Sequence, residues 1–223
     1  MAEVDATGIP FDLRRVRGNR TRQAILRIAV DVASTDGLEG LTVGRLAAKL
    51  KMSKSGLFAH FGSKKDLQLA TVEAARAVFI EEVLRPALAA ERGLARLWRL
   101  SDAWLSYAER KVFRGGCFFV AAAAEFDGRP GRIRDRVAEV MREWVGALTV
   151  AVDRAKEVGH LGPEVDAAQL AFEIDALVSG ANFAHLLHGD RRAFARARAA
   201  IRFRLEALRT PSAPRLPARA GQV

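Results

Sequence analysis

One short stretch of the chain combines small polar, basic and apolar residues at the spacing of two consecutive helices. Residues 42–61 read TVGRLAAKLKMSKSGLFAHF, and their apolar positions recur every three or four residues, as on one face of a helix. Thr42 and Ser53 are residue types that begin helices, because their hydroxyl oxygens accept hydrogen bonds from free backbone amides. The residues around Lys51 separate the two segments. The stretch therefore predicts a helix-turn-helix.

The chemistry that this stretch favours is contact with DNA. Leu57, Phe58 and Phe61 are predicted to form the buried side of its second helix. A helix that enters the major groove needs such an apolar back, and a front of small or basic donors that can approach base edges. The residues that we expect at the DNA are Thr42, Arg45, Ser53, Lys54, Ser55, Gly56, Phe58, His60 and Lys64.

These expected contacts are of two kinds. The residues predicted to face base edges are Lys54, Ser55 and Gly56. The residues predicted to hold phosphates are Thr42, Arg45, His60 and Lys64. Arg45 lies in the first turn of its helix, where a cation opposes the helix dipole unless an anion binds there. The alternative for Arg45 is a surface side chain that only extends into water.

The same stretch resembles the DNA-binding region of the TetR family of transcriptional repressors, over about residues 20–67. The matching residues are Thr42, Leu46, Ala47, Met52, Ser53, Leu57, His60, Phe61, Lys64 and Leu67. Lys51 stands where the family usually has glycine, and a left-handed lysine there costs about 1 kcal/mol more than glycine. Phe58 replaces a tyrosine, so a hydroxyl that could reach a phosphate is missing. Both departures predict binding that relies more on lysines and backbone amides.

The resemblance implies an all-α fold with an N-terminal three-helix DNA-binding domain and a six-helix body for ligand binding and dimerisation. The expected parts are a disordered basic arm (1–17), a helix-turn-helix domain (18–65), a ligand-binding and dimerisation domain (66–209) and a disordered tail (210–223). A helix of about 64–84, ended by Pro86, would connect the two domains and tilt when ligand binds. The last two helices would form the homodimer.

The body is rich in aromatic residues, and by resemblance its middle helices would enclose a cavity for a small effector. The candidate lining residues are Trp98, Trp104, Tyr107, Phe118, Phe119, Glu125, Phe126, Met141, Trp144, Asn182 and His185. For each aromatic residue the alternative is plain core packing. The composition hints at an apolar or aromatic effector, and Glu125 would sense a cation or a donor.

Composition narrows the possible functions. A formal net charge of +10 favours a polyanionic partner. Cys117 is the single cysteine, which excludes an internal disulfide and favours a reducing cytoplasm. Apolar neighbours favour an inert thiol there, and a redox sensor is the alternative. We find neither an apolar leader nor a run of 18 uncharged apolar residues, so no membrane partner is expected.

Signals of catalysis are sparse. The chain has no P-loop, GxSxG or CxxC motif, so we expect no enzyme and no cofactor. His185 and His188 are three residues apart on a helix. We expect this pair to belong to a plain helix end and not to hold a metal. The resemblance to the TetR family therefore implies a repressor that binds a palindromic operator as a homodimer and is released by a small effector. The sequence does not separate a repressor from an activator. Two other classes of protein also stay open: a helical ligand-binding protein or enzyme that does not bind an operator, and a nonspecific nucleoid-associated protein.

Overall fold

The computed structural model describes residues 13–217, with side chains from residue 18 onward, and this part of the chain is helical. The helices are α1 (Leu13–Asp36), α2 (Val43–Leu50), α3 (Lys54–Phe61), α4 (Lys64–Phe79), α5 (Arg85–Leu88), α6 (Leu94–Glu109), α7 (Phe118–Phe126), α8 (Arg132–Glu157), α9 (Ala167–His188) and α10 (Ala193–Leu208). A π-helical turn joins α4 to α5 without a break. Over the described residues this gives nine continuous helices, three in an N-terminal domain and six in a body, which confirms the all-α prediction.

The N-terminal domain has its own small core. Helices α1, α2 and α3 meet around the buried side chains of Ile25, Leu46 and Leu57, and Leu67 from the start of α4 closes this cluster. Since α4 contributes to this core and to the core of the body, it connects the two domains mechanically. The resemblance to the TetR family implied this connecting position.

Helix α6 is the centre of the body. It packs against α8, α9 and α10, and its buried residues include Trp98 and Trp104. A buried ion pair fixes α10 on α6, with Arg198 Nε 2.6 Å from a carboxylate oxygen of Asp102. The body therefore combines a large apolar core with a charge pair that is shielded from water.

The long connecting helix continues past Pro86 to Leu88, so the prediction that Pro86 ends it was wrong. The π-helical turn Ile80–Leu84 precedes the proline, and the amide of Arg85 bonds to the carbonyl of Ile80, five residues back. A proline ring normally clashes with the carbonyl of the preceding helical turn. The wider π turn removes this conflict, and the helix proceeds.

Both ends of the described chain are more ordered than the sequence predicted. Helix α1 begins at Leu13, so residues 13–17 belong to a helix and not to an arm, while residues 1–12 lie outside the described residues. At the other end, the amide of Thr210 donates to the carbonyl of His160 at 3.1 Å, and Leu216 is buried against the body. The first part of the predicted tail therefore packs on the body, and residues 218–223 lie outside the description.

Candidate DNA-binding surface and ligand cavity

The helix-turn-helix forms as the sequence predicts, with a hydroxyl cap at each helix start. Thr42 Oγ1 accepts a hydrogen bond from the amide of Arg45 at 3.2 Å, and Ser53 Oγ accepts one from the amide of Gly56 at 3.0 Å. Lys51 lies between the helices in the left-handed conformation, with φ 53° and ψ 37°. Its amide donates to carbonyls of α2 and thereby ends that helix.

Helix α3 has a buried face and an exposed face. Leu57 and Phe61, four residues apart, are buried against the core of the N-terminal domain. Phe58 is 43% exposed, so the prediction that it belongs to the buried side was wrong. It lies one residue after Leu57, which turns it about 100° away from the buried stripe. Its exposure agrees instead with the expected position at the DNA.

The other residues predicted at the DNA belong to the same domain, and none of them is buried. Those that are exposed are Thr42, Arg45, Ser53, Lys54 and Ser55, and those that are half-buried are Gly56, His60 and Lys64. Ser53 and Ser55 are joined by a hydroxyl–hydroxyl hydrogen bond of 3.2 Å. Small and basic groups thus occupy the outer side of α3, which is the arrangement that a major-groove helix needs.

Two of the cations predicted to hold phosphates contact acids in this structure. Arg45 lies 2.9 Å from Asp36, and Lys64 Nζ lies 2.9 Å from a carboxylate oxygen of Glu39. The Lys64 hydrogen bond is the main cause that lowers the pKa of Glu39 below its usual value. A phosphate at either cation must compete with its acid. Their phosphate contacts stay predictions.

Glu125 joins the body to the N-terminal domain. Its two carboxylate oxygens accept hydrogen bonds from the amides of Leu38 and Glu39, at 2.7 and 2.8 Å. Gly37 lies beside it with φ +77°, and a Cβ at that residue would lie 3.0 Å from both oxygens. The carboxylate therefore secures the turn after α1, which corrects its predicted place in the pocket.

A second contact joins the same parts of the molecule. Arg114, just before α7, forms an ion pair of 2.6 Å with Asp31 on α1, and its hydrogen bond is the main cause that lowers the pKa of Asp31. The amide of Gly115 donates to Ser34 Oγ at 3.2 Å. A Cβ at Gly115 would lie 1.7 Å from the Ser34 carbonyl oxygen, so only glycine fits this approach. The loop before α7 is thus fixed to the end of α1.

A narrow cavity lies between the middle helices of the body and α4. Its lining residues are Phe79, Trp104, Cys117, Phe119, Val120, Val140, Met141, Trp144, Asp175 and Ser179. Its volume is about 20 Å³, close to the room of one water molecule. Four of the predicted lining residues meet here: Trp104, Phe119, Met141 and Trp144. In this state the cavity is almost filled by its own side chains.

Asp175 is the functional candidate that sequence reasoning missed. The indole N–H of Trp144 donates to one of its carboxylate oxygens at 2.9 Å. Burial raises the pKa of Asp175 above its usual value, and the Trp144 hydrogen bond partly offsets this effect. An acidic residue within the apolar pattern of a helix, such as Asp175 in α9, can mark a functional site. The sequence does not show whether such a residue faces solvent or an aromatic cavity.

The remaining predicted pocket residues lie elsewhere. Trp98, Tyr107 and Phe118 are buried in the body core and do not line this cavity. Phe126 borders a different cleft, of about 250 Å³, beside the start of α4 and the α7–α8 loop. These four positions show why an aromatic residue in a helical body is a weak indicator of a pocket.

Two polar candidates have structural roles. The side-chain oxygen of Asn182 accepts a hydrogen bond from the amide of Cys117 at 3.1 Å, which satisfies the start of α7. The ring of His185 lies 5.0 Å from the ring of Phe194, between α9 and α10. Neither lines the cavity described above. Both belong to the packing of α9.

Cys117 and the metal-ligating side chains bear on the redox and metal chemistries that the sequence did not favour. Cys117 is buried, and burial raises its pKa to about 11, so the protonated thiol predominates at neutral pH. A protonated thiol is a poor nucleophile, which favours the inert interpretation. Between residues 13 and 217 no group of three or more metal-ligating side chains comes together.

Comparison with known families identifies both parts of the chain. Residues 25–71 match the family of bacterial regulatory proteins, tetR family, and residues 93–201 match the tetracyclin repressor-like C-terminal domain. Together these matches cover more than half of the chain. The protein belongs to the TetR family and is a DNA-binding transcriptional regulator of that class.

Solved structures share the fold. A TetR transcriptional regulator from Chloroflexus aurantiacus is 26% identical, with a TM-score of 0.81 over 86% of this chain and 98% of that one. A putative regulator from Saccharomonospora viridis, in complex with choline, is 20% identical, with a TM-score of 0.74 over 86% and 99%. AibR, in complex with isovaleryl coenzyme A and operator DNA, is 22% identical, with a TM-score of 0.65 over 82% and 96%. A comparison with curated protein sequences found no match.

Proposed function

We propose that this TetR-family regulator represses transcription from a palindromic operator, which it binds as a homodimer and leaves when a small effector enters its body. The observation that carries this proposal is the outer face of α3. Lys54, Ser55 and Phe58 are exposed there while Leu57 and Phe61 anchor the helix. A helix held in this way presents small and basic groups to base edges.

The surface of the last two helices supports a homodimer. Large apolar side chains are exposed on α9 and α10, among them Phe172 (66%), Leu187 (65%) and Phe203 (76%). An apolar surface of this kind marks an interaction site. A two-fold dimer of α9 and α10 would bury it and would present two α3 helices to an inverted repeat.

By length and composition α9 is also apolar enough to cross a membrane, with a third of its apolar window buried in the body. We favour the dimer interface for its exposed side, since Glu173 in α9 bonds to Arg204 of α10 at 2.7 Å and Asp175 bonds to Trp144. Both carboxylates would have to leave these partners in a bilayer, which is costly. This reading agrees with action on DNA in the cytoplasm.

The position of the cavity supports release by an effector. Phe79 at the end of α4 lies in the cavity wall, and its ring packs edge-to-face on Trp144 at 5.6 Å between centroids. A ligand that separates these rings would move α4, which shares the core of the DNA-binding domain through Leu67. The Glu125 contact gives a second connection to that domain. Both connections allow the body to alter the position of α3.

The experiment that tests this function compares base reading in matched variants of the full chain. A duplex that wild type selects is offered together with random duplexes to Ser55→Ala and to a control, Ser212→Ala, which is exposed on the far domain. Ser55→Ala is expected to change which bases are preferred in each half-site, while the control keeps the wild-type preference. An equal loss on selected and random duplexes would contradict base reading by α3.

A further inference from the structure

The wall of the body cavity is aromatic on most sides and acidic on one. Rings from four helices border it, namely Phe79 of α4, Trp104 of α6, Phe119 of α7 and Trp144 of α8. The polar side chains in the wall are Asp175 and Ser179 of α9. They are one helical turn apart and therefore share a face of that helix. The site thus has one formal charge, and that charge is negative.

The charge of Asp175 is not balanced by a basic side chain among the described residues. Its hydrogen bond comes from the neutral indole of Trp144, and no basic group contributes to its pKa. Glu173, two residues earlier on α9, shows the contrast, because it forms an ion pair with Arg204 at 2.7 Å. A carboxylate held among apolar groups without a counter-charge is costly. A cationic ligand would supply the missing charge.

Aromatic faces and a carboxylate attract the same kind of ligand. The face of a tryptophan or phenylalanine ring is negative and attracts ammonium groups, most strongly where water is excluded. A neutral apolar ligand would fill the cavity but would leave the carboxylate without a counter-charge. An anion would be repelled by Asp175. The wall therefore selects for positive charge combined with apolar bulk.

We propose that this cavity binds an organic monocation with apolar substituents, of the tertiary or quaternary ammonium class, with the charge beside Asp175 and the substituents against Trp104 and Trp144. This inference rests on the proposed function, since it names the chemical class of the effector. The narrow cavity must widen to admit such a ligand. Met141 and Val120 line it and are half-buried, and the flexible methionine side chain can move without disrupting a helix.

The test measures binding of phenyltrimethylammonium and of its uncharged isostere tert-butylbenzene to the purified full-length protein. Calorimetry and the quenching of tryptophan fluorescence report binding without DNA. The cation is expected to bind about tenfold more tightly or better than the isostere. Equal affinity for the two probes, or no binding of the cation at millimolar concentration, would overturn the proposal.

Two variants locate the charge. Asp175→Asn keeps an oxygen that can accept the Trp144 hydrogen bond, and it is expected to abolish the preference for the cation. Glu173→Gln removes an acid from the same helix at the α9–α10 contact and is expected to keep the preference. A preference that survives in Asp175→Asn would overturn the assignment to this carboxylate. Circular dichroism and thermal unfolding establish that both variants are folded.

The outcome separates this inference from the function on which it rests. Selective DNA binding that phenyltrimethylammonium does not weaken, with no cation bound by calorimetry, would refute the effector class and leave the regulator in place. Cation binding that depends on Asp175, in a chain that selects no DNA sequence, would refute the operator function and support the site. The two failures therefore give different results.

Discussion

The carboxylate of Glu125, on α7 of the body, accepts hydrogen bonds from the amides of Leu38 and Glu39 at 2.7 and 2.8 Å, in the turn before α2. These amides follow the end of α1 and have no helical partner. The contact therefore stabilises the DNA-binding domain with a charge from the body. It also links the turn before α2 to α7, which borders the body cavity through Phe119.

The first prediction concerns this contact. In Glu125→Gln one of the two amides loses its acceptor, because the new side chain has a single oxygen. We expect a loss of about 1–2 kcal/mol in the free energy of unfolding of the DNA-binding domain and faster hydrogen exchange at Leu38 and Glu39. Exchange followed by mass spectrometry measures both. Glu91→Gln, on an exposed loop, is the control, and unchanged exchange in Glu125→Gln would refute the link.

The second prediction concerns the competition between a phosphate and an acid at Lys64. Removing the cation in Lys64→Ala should weaken binding to every DNA sequence alike and lower the slope of log affinity against log salt by about one. Glu39→Gln removes the competing carboxylate and should raise affinity for all duplexes. Fluorescence anisotropy at several salt concentrations measures both effects. A salt slope that stays the same in Lys64→Ala would exclude the phosphate contact.

The third prediction concerns the buried ion pair between α10 and α6. Arg198→Met leaves the carboxylate of Asp102 buried without its Nε partner, and a loss of about 3–5 kcal/mol in the free energy of unfolding is expected. Arg204→Met breaks the more exposed pair with Glu173 and should cost about 1 kcal/mol or less. Urea denaturation of both variants compares them. Similar costs would show that burial of the Arg198 pair carries no special penalty.

The fourth prediction is a pH dependence at Asp175. Burial raises its pKa in the folded state above the usual value of 3.8, so the folded state binds this proton more tightly than the unfolded state. The stability from this group is present below pH 3.8 and is lost as pH rises through the raised pKa. The amide of Asp175→Asn does not titrate, so this variant does not lose stability in this way.

The stability of Asp175→Asn relative to wild type should therefore increase as pH rises from below 3.8 through the raised pKa of Asp175. Acids whose pKa is lowered, such as Asp31 and Glu73, make the stability of both proteins rise with pH. The comparison of the two proteins cancels this common contribution. Thermal unfolding at matched pH values gives the difference. Parallel stability curves over this range would contradict the assigned pKa shift.

Local signals account for what the sequence predicted well. The caps at Thr42 and Ser53 depend on neighbours within a few residues, so their types and spacing were sufficient. The left-handed conformation of Lys51 was suggested only by the glycine that the TetR family usually has there. The buried stripe of α3 also follows from periodicity, except at Phe58, where the residue type outweighed its angular position. Helix number and order were predictable for the same reason.

Contacts between distant segments account for what the sequence did not predict. Glu125 meets an amide 87 residues away, and Asp175 meets Trp144 across two helices. No local pattern contains such a distance. Trp98 and Trp104 belong to one helix and have the same residue type, yet only Trp104 borders the cavity. Side-chain direction in the assembled body decides that difference.

The central claim is that α3 reads a palindromic DNA sequence, and the most direct measurement is selection from a random duplex library. The full-length protein binds the library at about 150 mM salt, which suppresses nonspecific contacts, and the retained duplexes are sequenced. The account predicts an enriched inverted repeat with half-sites about one helical turn, or a multiple of it, apart. A folded dimer that retains duplexes without sequence enrichment would contradict it.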